Sequence, residues 1–228
     1  MKKGFTLAEV LITLAIIGVV AALTIPTVMA KYNQKAQYTQ FMKVYNTISN
    51  VFSLASAESS PMTWNYDSTD MNEFFDSHIA PYLKIASRGN VEDYFGTAQV
   101  KTLAGGDHVF SFSGLCGMLS CSDAVTTQDG ASLIVAHASS LDKGNHEYAQ
   151  IIFDTNGSKN PNMFGRDQFM MELGYNTEGS VKKPYFGILI GTDDDSFCNP
   201  NGESVIGNGI PQGIGCPAKL LKEGKMNY

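Results

Sequence analysis

The hydrophobic pattern of this chain changes character partway along its first sixty residues. Residues 5–25 are almost wholly apolar and hold a single charge, Glu9. As a helix that stretch extends ~31 Å at 1.5 Å per residue, enough to cross the hydrocarbon core of a bilayer. Further on the pattern narrows to a stripe. Tyr38, Phe41, Tyr45, Ile48, Phe52 and Ala55 recur at spacings of three and four, while Lys35, Gln37, Gln40, Lys43 and Asn46 lie largely off it. Such spacing marks one buried face of a helix. The two patterns join without a break, which predicts one helix from residue 5 to about 57. Its first half suits lipid or a cluster of helices, and its second half suits the back of a sheet. Ser59-Ser60-Pro61 ends it.

Beyond the helix the periods are short. Residues 69–83 read as a second helix, capped by Thr69 or Asp70, with Phe74, Phe75, Ile79 and Tyr82 on one face and Pro81 limiting its end. Residues 84–106 carry no clear period. Strands are predicted at 107–113, 131–137, 148–153 and 184–190, separated by turns rich in Gly, Asp and Asn. Residues 217–222 can form one helical turn, with Gly224 just past it. The expected fold class is α+β: an antiparallel sheet packed on the long helix, with disulfide-closed loops. The division is 1–4, 5–30, 31–57 and 58–228: a short basic start, a transmembrane half-helix, an amphipathic half-helix and a globular domain.

The chain begins Met1-Lys2-Lys3-Gly4-Phe5-Thr6-Leu7-Ala8-Glu9. Lys2 and Lys3 keep that end cytoplasmic under the positive-inside rule, so the remainder lies across the membrane. A secretory signal cut after Val28-Met29-Ala30 is one reading, but its apolar run normally spans only ~7–15 residues. A plain uncleaved anchor is another, and it has no use for an acid. Glu9 is costly in lipid, by roughly 2.5–3.5 kcal/mol if treated like Asp at the centre of a spanning helix. Thr6 with Glu9 three residues later fits a capping box, which gives the acid a local purpose. A bond to the N-terminal amine of an adjacent subunit gives it an intermolecular one.

Two lysines, Gly4-Phe5 and a lone Glu9 inside a membrane-length run together resemble the prepilin signal of the type IV filament superfamily, which includes type IV pilins and the pseudopilins of type II secretion and DNA uptake. The resemblance implies a pilin-like fold and a structural subunit, not an enzyme. It implies cleavage between Gly4 and Phe5 by a prepilin peptidase, N-methylation of Phe5, and pairing of Glu9 with a neighbour's amine during assembly. Gly18 and Pro26 match the positions between which the family's helix loosens in filaments. Gly lowers helix propensity and Pro removes a backbone donor, which fits that loosening. Ala8 departs from the bulkier apolar residue of many members. The implied partners are copies of the chain, other pilins or pseudopilins, the peptidase and the bacterial inner membrane, with a periplasmic or extracellular domain. An alternative from another class is a membrane-anchored binding protein or adhesin, which needs neither Gly4 nor Glu9.

Composition narrows this further. Sixteen basic and 22 acidic residues give a formal charge of −6. An acidic chain argues against broad nucleic-acid binding. Four cysteines, Cys116, Cys121, Cys198 and Cys216, permit three pairings, and in an exported chain they read as disulfides; the two local pairs are expected. The histidines, His78, His108, His137 and His146, lack metal-ligand spacing. No G-x-S-x-G, H-E-x-x-H or P-loop occurs, and a set drawn from Ser132, His108 and Asp129 is one any serine-rich chain allows.

The richest loop is residues 154–167, DTNGSKNPNMFGRD. Its Asp, Asn and Ser side chains match turn chemistry, with Asn156-Gly157 expected to take positive φ. They also offer oxygens to calcium, which takes six to eight, and Asp154, Asn156 and Asp167 would be the ligands. The loop departs from an EF-hand, having no glycine at its sixth position and no glutamate at its twelfth. Some pseudopilins hold calcium in a loop near the C-terminus, so the resemblance adds weight to that reading. Asp193-Asp194-Asp195 is a second acidic run, which reads as a solvated turn or, if it folds near Asp154, as part of the same cation site.

Overall fold

The computed structural model describes residue 4 and residues 6–66, 70–95, 100–105, 116, 120–137, 146–178, 181–189, 191–193, 195–206 and 210–228. The strand expected at 107–113, with His108, lies outside the described residues, as do Lys2, Lys3, Phe5, Thr69 and Asp194.

Helix α1 runs Leu7–Glu58, 52 residues, with Pro26 inside it. At 1.5 Å per residue it is ~78 Å long. None of residues 7–40 is buried. Burial starts at Phe41 and continues through Val44, Ile48, Val51, Phe52 and Ala55. Four of the expected stripe residues are therefore core. Tyr38 and Tyr45 flank it, partly buried, and Val44 and Val51 complete it. The helix stops at Ser59, whose N–H bonds the carbonyl of Ala55, and Pro61 opens a tight turn over Pro61–Thr63.

Six strands form one antiparallel sheet in sequence order: β1 (Ile85–Gly89), β2 (Ala124–Thr127), β3 (Ser132–His137), β4 (His146–Asp154), β5 (Gln168–Glu178) and β6 (Val181–Gly187). Neighbouring side chains on a strand point to opposite faces, and both faces here are apolar. Leu133, Val135, Ala149, Ile151, Phe153, Phe169, Met171 and Leu173 face α1. Ile134, Ala136, Ile152 and Met170 face a second cluster made with Phe95, Val100, Phe164 and Ile214. Phe41 joins the helix to the sheet, with ring centroids 4.7 Å from Phe169 and 6.2 Å from Phe153.

Helix α2 (Met71–His78) begins at Asp70, whose carboxylate accepts from the N–H groups of Asn72 and Glu73. It is shorter than the expected 69–83, because the chain tightens before Pro81 into a turn over Ala80–Tyr82. Arg88 on the edge strand β1 ties α2 to the start of β2 through Asn72, Asp76 and Asp123. A short helix α3 (Val91–Phe95) follows β1. A two-stranded ribbon, β7 (Val205–Ile206) with β8 (Ile210–Pro211), precedes α4 (Cys216–Glu223). Gly224 closes α4 in the left-handed region at φ +68°, as its place past the last helical residue implies. The disulfides are Cys116–Cys121 and Cys198–Cys216, the two local pairs.

Candidate functional site

The N-terminal arm carries the first group of candidate residues. Thr6 is the N-cap of α1, and a capping box is present. The Thr6 N–H and hydroxyl both donate to the Glu9 carboxylate at 2.8 Å, and the Glu9 N–H donates to Thr6 Oγ1 at 3.3 Å. That carboxylate is thus held at the helix start, beside N–H groups that have no helical partner. A side chain built at Gly4 or at Gly18 would meet nothing within 4 Å. Nothing in the described fold of a single chain requires a glycine at either position. Pro26 lies within the exposed arm, and α1 continues through it.

The second group lies between β4 and β5. Register places Asp154, the last residue of β4, opposite Gln168, the first of β5. Asp154 Oδ1 accepts from the N–H of Asn156 at 2.9 Å, and Oδ2 accepts from Gln168 Nε2 at 3.1 Å. Asp167 accepts from the N–H groups of Met163 at 2.7 Å and Asn162 at 2.9 Å, and from Asn156 Nδ2 at 3.3 Å. The structure therefore brings Asp154, Asn156 and Asp167 together, in the manner of side chains that close a turn by capping backbone donors. Both carboxylates are fully buried. Burial, with the charge of Asp167 beside it, pushes the Asp154 carboxyl up to about 8. Burial also raises that of Asp167, against the N–H donors that lower it.

Four oxygens around these acids are buried and accept no hydrogen bond: Thr155 Oγ1, Asn156 Oδ1, Asn162 Oδ1 and Gln168 Oε1. Gly157 has the expected positive φ, +71°, and the second left-handed residue is Asn162 at +48° rather than Asn156. Gly165, at φ +80°, lets the loop pass against the second disulfide. A Cβ there would lie 2.6 Å from Cys216 Sγ.

The comparison with known families falls on the first group. Residues 1–25 match the prokaryotic N-terminal methylation motif. The chain carries the prepilin-type signal of type IV pilins and pseudopilins. The matched stretch includes Gly4, Phe5, Glu9 and Gly18 and stops one residue before Pro26. No curated protein and no solved structure matches the chain. The signal heads a helix long and apolar enough to cross a membrane.

Other sequence candidates are committed elsewhere. Asp129 pairs with Lys43 at 3.0 Å and accepts from the Thr127 hydroxyl, and Ser132 Oγ lies 3.2 Å from Thr126 Oγ1. Asp195 is 4.0 Å from Lys219 of α4, and with Asp193 it lines a cleft shared with Tyr185 rather than with the prepilin arm or the 154–168 loop. Among the described residues no three His, Cys, Asp or Glu side chains are grouped to share a metal. Sequence reasoning did not single out Asn162 or Gln168. Gln168 was reachable only through the β4–β5 register, and Asn162 carried no signal beyond the turn composition it shares with its neighbours.

Proposed function

We propose that the chain is a structural subunit, a pilin or pseudopilin, of a type IV-like filament or a type II secretion system. In this reading a prepilin peptidase cuts between Gly4 and Phe5 and Phe5 is N-methylated. The inner membrane holds the chain in a single pass, with the N-terminus cytoplasmic and the domain outside, until copies and related subunits pack through the arm. The carrying observation is that residues 7–33 of the arm bearing the prepilin signal bury no side chain against the domain. An apolar surface of that extent needs lipid or other helices around it. Glu9 then exchanges its local bonds with Thr6 for a neighbour's amine, and the segment between Gly18 and Pro26 supplies the weak point of the helix. Mass spectrometry of protein extracted from membranes of cells that hold the peptidase tests the reading. A chain starting at methylated Phe5 is expected, and one starting at Met1 or Lys31 overturns it.

A second reading concerns the 154–168 loop: calcium held by Asp154, Asn156 and Asp167. The four buried oxygens without a donor favour it. Two buried acids without a Lys or Arg partner among the described residues, set among surplus acceptors, form a site short of positive charge. Asn162 and Gln168 would complete the oxygen set. A ligand bound only by the folded state stabilises it by ~2.7 kcal/mol at a hundredfold excess over Kd. Thermal melts of the full chain in maltoside with calcium and with chelator test this. A higher melting temperature with calcium is expected, absent in Asp154→Ala. Equal melts for the unsubstituted chain would leave the loop as a hydrogen-bonded turn.

A further inference from the structure

The same loop borders a second feature, which lies at the level where α1 emerges from its apolar stretch. Ala30, Asn33 and Gln37 of α1, Leu103, and Pro161 and Arg166 of the loop line an open cleft of about 410 Å³. Ala30 is five residues past Ile25, the last of the apolar run, which places it ~8 Å beyond that point along the helix axis. A bilayer of ~40–45 Å with a ~30 Å hydrocarbon core leaves a headgroup layer of ~5–8 Å on each side. The Ala30 end of the cleft therefore meets the outer edge of the headgroup layer when residues 5–25 span the core, and its Gln37 end lies ~18 Å past Ile25.

Arg166 supplies the charge in this cleft. Its guanidinium lies 5.3 Å from the centroid of the Tyr228 ring, and Nη1 approaches Met226 Sδ at 3.7 Å. Tyr228 is itself pinned there, donating its hydroxyl to the carbonyl of Gly165 and accepting at its own carbonyl oxygen from Gln34 Nε2. No carboxylate among the described residues lies within ion-pair reach of Arg166. A half-buried guanidinium with five donors and only a ring and a thioether against it favours an anion that can take a forked pair of hydrogen bonds.

The surroundings share that sign. Between Glu9 and Glu58 the helix holds Lys31, Lys35 and Lys43 and no acid. The segments 98–105 and 155–166 add Lys101, Lys159 and Arg166 and again no acid. Lys31, Lys35, Lys101 and Lys159 are all exposed. Among the described residues, Asp154 and Asp167 of the loop are buried, and Glu223 already accepts from Asn227 at 2.7 Å.

We propose that this cleft binds the phosphodiester of an anionic phospholipid headgroup, with Arg166 taking its oxygens, so that the domain is seated on the membrane surface from which α1 emerges; Lys31 and Lys35, which turn away from the cleft-lining Ala30, Asn33 and Gln37 on α1, add a general attraction for anionic lipid. The inference rests on the membrane-anchored reading of the arm. Phosphate is the anion present at that level around every copy, and juxtamembrane cations are attracted to anionic lipid. Seating the domain fixes the angle at which α1 leaves the bilayer.

The test uses the full chain in vesicles of phosphatidylglycerol and phosphatidylcholine, in vesicles of phosphatidylcholine alone, and in uncharged maltoside. Flotation with the vesicles reports the anchor, and hydrogen exchange over residues 158–166 and 224–228 reports the cleft. Exchange severalfold slower in phosphatidylglycerol vesicles than in maltoside is expected. The protection should be lost in Arg166→Gln and weakened in the double variant Lys31→Gln, Lys35→Gln, whose exposed helix positions leave the domain's core untouched. A chain that floats yet exchanges equally in phosphatidylglycerol and maltoside overturns the headgroup site and leaves the anchor standing. Equal protection by inorganic phosphate in maltoside, protection unchanged in both variants, or protection that follows self-association instead of lipid also overturns it. A chain that fails to float overturns the anchor reading and this site with it.

Discussion

Residues 7–40 of α1 and the stretch from Phe41 to Ala55 belong to one unbroken helix, yet only the second is joined to the domain by buried side chains. Leu14 and Phe41 make the point. Both are large apolar residues on α1. Leu14 is 60% exposed, whereas Phe41 is fully buried against Phe153 and Phe169. Burial on folding is what turns hydrophobicity into stability. The domain therefore gains nothing from the apolar surface of residues 7–25, and that surface remains available for lipid or other helices.

The sharpest way to break this contrast is to truncate one residue from each half. Phe41→Ala should cost the domain about 3–5 kcal/mol, the range for removing a buried phenyl ring. Leu14→Ala should change the domain's unfolding by less than about 0.5 kcal/mol, as a substitution away from any buried feature does. Urea unfolding of the full chain in maltoside, followed through Trp64 fluorescence, measures both. Equal losses from the two variants would mean that the arm packs on its own domain.

The disulfides come next in size, and both lie in the domain. In the chain-entropy model, opening Cys198–Cys216 by Cys198→Ser, Cys216→Ser removes ~3 kcal/mol, and opening the shorter Cys116–Cys121 loop removes ~2 kcal/mol. The first also frees Cys216 from its position against Gly165, so its effect should extend to the 154–168 loop. Unfolding of the oxidised and the doubly substituted chains gives the order, and a larger loss from the shorter loop would reverse it.

How far the sequence reached follows the same contrast. The long helix, its change of character, both cysteine pairs, the Asp70 cap and the Gly224 stop were legible because each depends on spacing or on local chemistry. Strands β3 and β4 were legible because Leu133, Ile134 and Val135, or Ile151, Ile152 and Phe153, form apolar runs rich in β-branched or aromatic residues between turn residues. Strand β5 was missed. It is central and buried on both faces, and its Met170, Met171, Glu172 and Leu173 are helix formers by propensity, so tertiary burial decides its conformation. The period of Phe169, Met171, Leu173 and Tyr175 was its only local sign. Strand β6 begins three residues earlier than the expected 184, because an edge strand tolerates Lys182, Lys183 and Pro184, which look like a break. Strands β1 and β2 are too short, and β1 too exposed, to carry a period. In the loop the turn residue types were legible, but the meeting of Asp154 with Gln168 and of Asp167 with Asn162 depends on register.

A smaller effect should appear with pH. His78 stacks on Trp64, with ring centroids 4.3 Å apart, and burial lowers its pKa from the ordinary 6.5. The unfolded chain therefore takes up the proton first as pH falls. This contribution to stability is complete above about 6.5 and is lost as pH drops through the lowered folded value. Urea midpoints at pH 7.5 and at pH 5 should shift in that direction relative to His78→Phe, which keeps the stack and cannot titrate; the raised Asp154 and Asp167 carboxyls pull the other way in both chains alike. An unchanged difference in the variant would assign the pH dependence to other groups.

The smallest effect on stability belongs to the residue with the largest expected effect on assembly. Glu9 closes the capping box with Thr6 on a fully exposed stretch of α1 far from the domain, so its substitution should leave the domain's unfolding where it was. The box accepts Glu or Gln at this position, because either can take the N-cap N–H. Glu9→Gln therefore keeps the helix start and removes the charge, whereas Glu9→Ala removes both. If the acid serves only the helix start, Gln should assemble at the level of the unsubstituted chain and Ala should fall, by the ~1 kcal/mol that a cap contributes. If it pairs with a neighbour's positive amine, Gln and Ala should fail alike, since a neutral amide offers that amine only a hydrogen bond. Recovery of the subunit in sheared filaments, from cells that depend on this chain, measures the difference. The proposed assembly role requires Gln to fail; filaments at full level with Gln would restrict Glu9 to its place in the cap.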